Sequence, residues 1–328
     1  MNIKKTLLGM LLAANLGLCC KQLSTPQKVL ILPRAEVSQS SGFENNNCSL
    51  DDQVVNEAAQ SVELVEASAG YRINYRGELY KGEMEKRGSA VLLGETGGKY
   101  YFLTAYHVVD LPGSFSSTVA FSKSSSGLES LLDWKLSPEL ANTLTFSHSV
   151  TATISGGRNL TIGGISGGEV VCEDGGLDYA LVTVPSNGRL KPLANQARAF
   201  IGDPERLNTA DYVYTIGYSL SLGRFVTEGI ISNENLPLST GGNFRFERSD
   251  AFTFTSPISR GNSGGPVFSI AEGKLHLIGI AIAYFEQGHN LNVAMKINDI
   301  FADIGRQGCL AAGNIKIELV NYFKGNEK

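Results

Sequence analysis

Three short stretches of the chain carry side chains that can act together on a carbonyl carbon. In Arg260-Gly261-Asn262-Ser263-Gly264-Gly265-Pro266-Val267 one serine is displayed on a glycine-flanked turn just ahead of an apolar run. A hydroxyl that attacks a carbonyl needs backbone N–H groups aimed at the oxygen that becomes negative, and glycines let the chain take the shape that aims them. Gly261 and Ser263 are the predicted donors. In Tyr101-Phe102-Leu103-Thr104-Ala105-Tyr106-His107-Val108-Val109 a histidine follows directly on an apolar strand, and in Leu177-Asp178-Tyr179-Ala180-Leu181-Val182 an acid opens another. Taken singly, each has a plain structural explanation: a glycine turn, a packed histidine, a carboxylate at a strand edge.

Taken jointly, the three stretches resemble the trypsin-like serine peptidase family. The first resembles its GxSGGP nucleophile loop, the second its strand-then-TAxH motif and the third its D-x-A-L motif. The order His107, Asp178, Ser263 is the chymotrypsin-like chain order, unlike the orders of subtilisin or the α/β-hydrolases. The resemblance implies that His107 takes the Ser263 proton and later delivers it to the leaving amine, while Asp178 fixes the histidine tautomer. An acyl-enzyme on Ser263 is then the intermediate of a serine endopeptidase acting on protein or peptide, with no cofactor. The implied fold is all-β, two six-stranded antiparallel β-barrels (a chymotrypsin-like double barrel) with a C-terminal helix.

Two further segments narrow the branch. Val213-Tyr214-Thr215-Ile216-Gly217-Tyr218-Ser219, followed by Val226-Thr227-Glu228-Gly229-Ile230-Ile231-Ser232, resembles the HtrA/Deg pattern, as does the strand Gly88-Ser89-Ala90-Val91. The likeness runs from about Gly88 to Ile297, and a protease domain without an appended PDZ domain is expected. Asn262 stands where digestive relatives carry the acid that pairs with a newly cut N-terminus, so no zymogen cleavage of that kind is expected. Pro257, six residues before the nucleophile, falls near the base of the primary substrate pocket and offers no charge to a basic side chain. The run Leu277–Ala283, with Ile282 and Ala283, resembles the strand that lines the same pocket. An apolar residue before the scissile bond is the expected preference, although these positions serve equally as ordinary core.

Those side chains must be positioned by short strands. Apolar runs bounded by Gly, Asn and Ser recur at Gly88–Leu93, Tyr100–Thr104, Ala180–Val184, Tyr212–Gly217, Phe225–Ile231, Ala251–Phe254 and Leu275–Ala283, a spacing that favours an antiparallel barrel or sandwich over βαβ units. With 42% hydrophobic and 18% charged residues, and 37 glycines for turns, the composition is that of a globular chain. The expected organisation is a signal peptide over 1–20, a polar arm over 21–60 and a peptidase domain over 61–328. Within that domain the first barrel is expected over about 61–185, the second over about 195–300 and a helical extension over about 297–325. Ser114 to Val170, rich in Ser, Thr and Gly, reads as an elaborated loop region without an assigned role.

The formal net charge of -4 gives no basic footprint for phosphate neutralisation, so nucleic acid is not an expected partner. Met1-Asn2-Ile3-Lys4-Lys5 and the apolar run Thr6 to Leu18 have the length and flanks of a signal-peptide h-region, which predicts export. Leu16-Gly17-Leu18-Cys19-Cys20 resembles a bacterial lipobox, implying a lipid anchor on Cys19 or Cys20; plain secretion to periplasm or medium is the alternative. Setting those two aside leaves Cys48, Cys172 and Cys309, enough for one disulfide of unspecified pairing and one thiol. No CxxC or HExxH spacing indicates a metal. Rival readings are a catalytically silent relative that binds peptides in the same cleft, a surface protein with a β scaffold, and an esterase. The oligomeric state is left open.

Overall fold

The computed structural model describes residues 46–75, 78–111, 117–120, 134–135, 149–154, 158–196, 199–236, 250–271, 274–285 and 290–309. Cys19, Cys20 and the rest of the segment expected to direct export lie outside the described residues.

A helix, α1 (Asn46–Ala59), precedes the strands and buries Val54, Val55, Ala58 and Ala59 in the main apolar cluster. The last part of the stretch read as a polar arm is therefore helical. Strands β1 (Val62–Tyr75) and β2 (Glu78–Thr96) then form a long hairpin, Val62 opposite Val91 and Tyr75 opposite Glu78. Along β1, Val65, Ala67 and Ala69 are buried while Leu64, Glu66 and Ser68 are half-buried, the alternation expected of a sheet with one face on a core. Gly97 and Gly98, with φ of 57° and 72°, make the tight turn to β3 (Lys99–Thr104), a geometry that suits the twist of a two-residue hairpin.

Five more strands follow: β4 (Ser117–Ala120), β5 (Trp134–Lys135), β6 (Ser149–Ile154), β7 (Asn159–Ile162) and β8 (Ile165–Ser166). The hairpin of β9 (Glu169–Asp174) and β10 (Tyr179–Pro185) completes the first sheet. Its order is β4-β6-β1-β2-β3-β10-β9, with β7 on β1, β8 on β7 and β5 on β2. This sheet has ten strands and curls into a half-barrel. The additional strands come from Ser114–Val170, whose polar composition hides alternating pairs such as Leu160 and Ile162, both buried against Ala67 and Val65 of β1.

The second sheet contains β11 (Ala199–Ile201), β12 (Tyr212–Gly217), β13 (Phe225–Asn233), β14 (Ala251–Phe254), β15 (Pro266–Ala271), β16 (Lys274–Tyr284) and β17 (Asn292–Lys296). Because β16 pairs with both β15 and β17, six strands close into a barrel in the order β15-β12-β13-β14-β17-β16, and β11 adds to β16 in parallel. Val213, Ile231, Phe252, Phe254, Val267, Ile278, Ala281 and Ala294 pack together as its own apolar cluster. Burying each phenylalanine there contributes about 2–3 kcal/mol. The architecture is the double barrel of a chymotrypsin-like fold.

Two helices matter to the site. A single turn, α2 (Tyr106–Val109), follows β3, and α3 (Ile297–Gln307) follows β17. Ile297, Ile300 and Ile304 of α3 lie on one buried face, and Gly308, at φ 68°, ends the helix in a left-handed cap. Cys309 just beyond it is disulfide-bonded to Cys172 of β9, which settles the pairing and leaves Cys48 out of it.

Candidate active site

His107 sits where β3 runs out into α2, so the rigid strand fixes its backbone. Asp178 closes the β9–β10 turn and both of its carboxylate oxygens are spent on the histidine: Oδ1 accepts from the His107 backbone N–H at 2.9 Å and Oδ2 lies 2.7 Å from Nδ1. A carboxylate only accepts, so Nδ1 is the donor in this contact and Nε2 is the ring nitrogen left for other work. The Asp178 carbonyl in turn accepts from Tyr106 N–H at 3.1 Å. Asp178 is held at φ 49°, a left-handed conformation that Asp and Asn tolerate better than most residues. Asp174 stiffens the turn by accepting from the N–H groups of Gly176 and Leu177 at 2.8 and 2.7 Å.

Lys86, on β2, closes the other end of α2. Its ammonium donates to the carbonyls of His107 (2.9 Å) and Asp110 (2.7 Å), groups that a one-turn helix leaves without partners. Lys86→Met is expected to destabilise the fold by about 1.5–3 kcal/mol, the usual worth of a charge-assisted hydrogen bond. Urea unfolding of the variant beside the parent chain measures this.

The Ser263 turn is built against the first sheet. The Ser263 carbonyl accepts from Ser89 N–H at 2.8 Å, and Gly88 fits between Val108 and that carbonyl so closely that a Cβ there would lie 2.6 Å from Val108 and 2.8 Å from the oxygen. Gly88 therefore brings the histidine helix and the serine turn face to face. Gly264, at φ 82°, leaves no room either: a Cβ would meet the Ser89 carbonyl and Thr104 Oγ1, both at 2.3 Å. The second sheet holds the far side through Gly264 N–H to the Ala281 carbonyl (2.7 Å) and Ala281 N–H to the Gly265 carbonyl (2.8 Å). No hydrogen bond to the Ser263 hydroxyl forms among the described residues, as is common before substrate tightens such a contact.

The peptide between Arg260 and Gly261 has a defined direction. The Arg260 carbonyl accepts from Leu220 N–H at 2.6 Å; because the peptide is trans, the Gly261 N–H points away from Leu220. Gly261 reaches this shape at φ 96°, and a Cβ on it would lie 2.3 Å from the Tyr218 carbonyl. Among the described residues neither Gly261 N–H nor Ser263 N–H has an acceptor, and both residues are part-exposed. Asn262 turns the other way, 1% exposed, its Oδ1 accepting from the Ser219 hydroxyl at 2.7 Å. A neutral side-chain pair thus stands at the position where the sequence lacks an acid.

Ser89 was not singled out by sequence, yet it is a junction. Fully buried on β2, its hydroxyl donates to the Gly261 carbonyl (2.7 Å) and accepts from Tyr218 N–H (2.9 Å), while its carbonyl accepts from Thr104 Oγ1 (2.7 Å). The available signal was a polar residue inside the otherwise apolar run Gly88–Leu93. Of the pocket candidates, Pro257 is exposed after β14, Ile282 is 5% exposed and Ala283 half-buried on β16. The adjoining Ser256 lies against β13, where a Cβ on Gly229 would come within 2.2 Å of its nitrogen.

The curated relatives found by sequence are proteases. The chain is 36% identical over 108 residues to a "Probable periplasmic serine endoprotease DegP-like" of Bartonella henselae, covering 31% of this chain and 20% of that protein. Against a protein of the same description from Rhizobium meliloti it is 29% identical over 162 residues, 46% of this chain and 31% of the other. Against the "Magnetosome formation protease MamE" of Magnetospirillum gryphiswaldense it is 33% identical over 115 residues, 35% and 14% of the respective chains. The chain thus spans less than a third of the length of each. The family model described as "Trypsin-like peptidase domain" matches residues 88–280, more than half of the sequence. Gly88, His107, Asp178 and the Ser263 turn all fall inside that match, on a double-barrel fold: the chain belongs to the trypsin-like peptidase domain family.

Proposed function

We propose that the protein is a serine endopeptidase in which Ser263 attacks the scissile carbonyl. His107 Nε2 takes the hydroxyl proton as the Ser263 Oγ–carbon bond forms, and returns it to the leaving amine as the acyl-enzyme is released from the first product. Water then attacks the ester, again deprotonated by His107. Asp178 keeps Nδ1 protonated and balances the imidazolium, and the Gly261 and Ser263 N–H groups receive the oxyanion. The observation that supports this most is the two-point hold of Asp178 on His107, which leaves Nε2 free for one role only. Pro257, Ile282 and Ala283 are proposed to line a pocket for an apolar residue.

Export belongs to the same reading. A disulfide persists in an oxidising compartment, two relatives are described as periplasmic, and residues 1–20 are proposed to direct export, with a lipid anchor at Cys19 or Cys20. Residues 61–185 and 195–300 are proposed as the two barrels of the catalytic unit.

The test is covalent. A fluorophosphonate probe is expected to modify folded protein at one residue, and peptide mass mapping is expected to locate the adduct on Ser263, with cleavage of casein in parallel. Folded protein that stays unlabelled would favour a silent peptide-binding relative and overturn the proposal.

A further inference from the structure

Under the β12–β13 turn lies a carboxylate that the triad chemistry does not use. Glu63, on β1, is 9% exposed, and its Oε2 accepts from the Tyr218 hydroxyl at 3.2 Å. Its Oε1 lies 3.5 Å from Arg224 Nη2. Arg224 also donates to the Tyr218 hydroxyl at 3.3 Å and places its guanidinium 5.8 Å from the centre of the Tyr218 ring. Glu63, Tyr218 and Arg224 thus form a closed triangle between the first sheet and both ends of this turn. Burial pushes the Glu63 carboxyl above its usual value, while the Arg224 charge and the Tyr218 hydrogen bond pull it back.

The run between Tyr218 and Arg224 is the same one that shapes the oxyanion-binding peptide. Leu220 N–H fixes the Arg260 carbonyl, the Ser219 hydroxyl fixes Asn262, and the Tyr218 carbonyl packs on Gly261. The turn has internal bonds from Ser221 and Leu222 N–H to the Tyr218 and Ser219 carbonyls (3.1 and 3.0 Å), yet Leu220 and Ser221 both sit in the left-handed region, at φ 52° and 56°, with no glycine at either position. Such residues persist only where their surroundings over-determine them.

We propose that Glu63 is a positioning residue for the oxyanion-binding peptide: by holding Tyr218 and Arg224 it fixes the β12–β13 turn, and the turn fixes residues 260–262. This rests on the serine-hydrolase reading of the site. Its origin on β1 matters, because Glu63 lies outside the segment 88–280 that matches the family. Removing one partner of a largely buried ion pair costs stability whatever else it does, so the unfolding midpoint does not separate support from positioning, whereas the split between kcat and KM in folded protein does.

The experiment compares the full chain, Glu63→Gln, Tyr218→Phe, the double variant and Ser263→Ala by rate of fluorophosphonate labelling, peptide hydrolysis and thermal unfolding. Glu63→Gln is expected to lower the unfolding midpoint while staying folded at 25 °C, to slow labelling and lower kcat by about 5–20-fold, and to change KM by less than about twofold, the pattern of an interaction needed only as the oxyanion forms. Tyr218→Phe is expected to match it, and the double variant to lose no more than either single change, since both act through one contact. Labelling of folded Glu63→Gln at the parent rate overturns the proposal, and so does a loss of activity carried by KM with kcat unchanged. If the folded parent itself shows no Ser263-dependent labelling, the hydrolase reading fails first and the role given to Glu63 falls with it.

Discussion

Ser263→Ala is expected to lower kcat for peptide hydrolysis by about 10⁶-fold, leaving only the residual rate that a shaped cleft provides over water. The size follows from how much depends on one atom. Without Oγ no acyl-enzyme forms, so His107 and Asp178 have nothing to activate. Asp178→Asn should cost roughly 10⁴-fold, because an amide that donates where the carboxylate accepted would favour the wrong tautomer of His107. It should also weaken the bond from the His107 backbone N–H to Oδ1. Combining the two changes is expected to cost no more than Ser263→Ala alone. Initial rates on a fluorogenic peptide, with circular dichroism to confirm folding, decide this. A Ser263→Ala variant that retains more than about a hundredth of the parent rate rules out Ser263 as the nucleophile.

The second large effect concerns stability rather than rate. Cys172 and Cys309 are 137 residues apart in sequence, so their bond closes a long loop in the unfolded chain. Removing it is expected to cost about 3–5 kcal/mol, equivalent to roughly 10 °C in Tm for a domain of this size. Thermal unfolding of Cys172→Ser/Cys309→Ser, compared with the parent with and without dithiothreitol, measures it; a shift below about 2 °C would refute the estimate. At 25 °C the folded variant should keep its triad. Tyr179, next to Asp178, still donates to Asp303 at 2.7 Å, and Gln307 still donates to the Glu173 carbonyl at 3.2 Å, so noncovalent ties between α3 and the β9–β10 hairpin survive reduction.

Much of this site was readable from sequence because its parts are local. The Ser263 turn needs positive φ at Gly261 and Gly264, and only glycine meets both that demand and the contacts below 3 Å at each position. His107 and Asp178 each stand at the end of an apolar strand, where period and composition mark the boundary. The supporting residues were not readable. Ser89, Lys86 and Glu63 act across sheets, on partners far along the chain, and a serine, lysine or glutamate in a strand carries no mark of what it will meet. The ten-stranded first sheet was hidden for a related reason: β4 to β8 are short, and their alternating apolar positions, such as Val150, Ala152 and Ile154 in β6, are few and set among Ser, Thr and Asn. In α1 the buried face is carried by Val54, Val55, Ala58 and Ala59, too few to stand out among the surrounding Asp, Asn and Glu.

The closing strand β17 lies beyond residue 280, and β1 with its hairpin partner begins before residue 88. A fragment cut to the family's matched boundaries would open the six-stranded barrel between β14 and β16. It would also strip β2 of the strand that covers one whole edge, exposing unpaired N–H and C=O groups on both sheets. The smallest stretch of this chain that can be expected to fold is therefore longer than the stretch by which its ancestry is recognised. Boundaries for expressing or grafting the domain should be set by strand closure, from α1 through Cys309, and not by similarity.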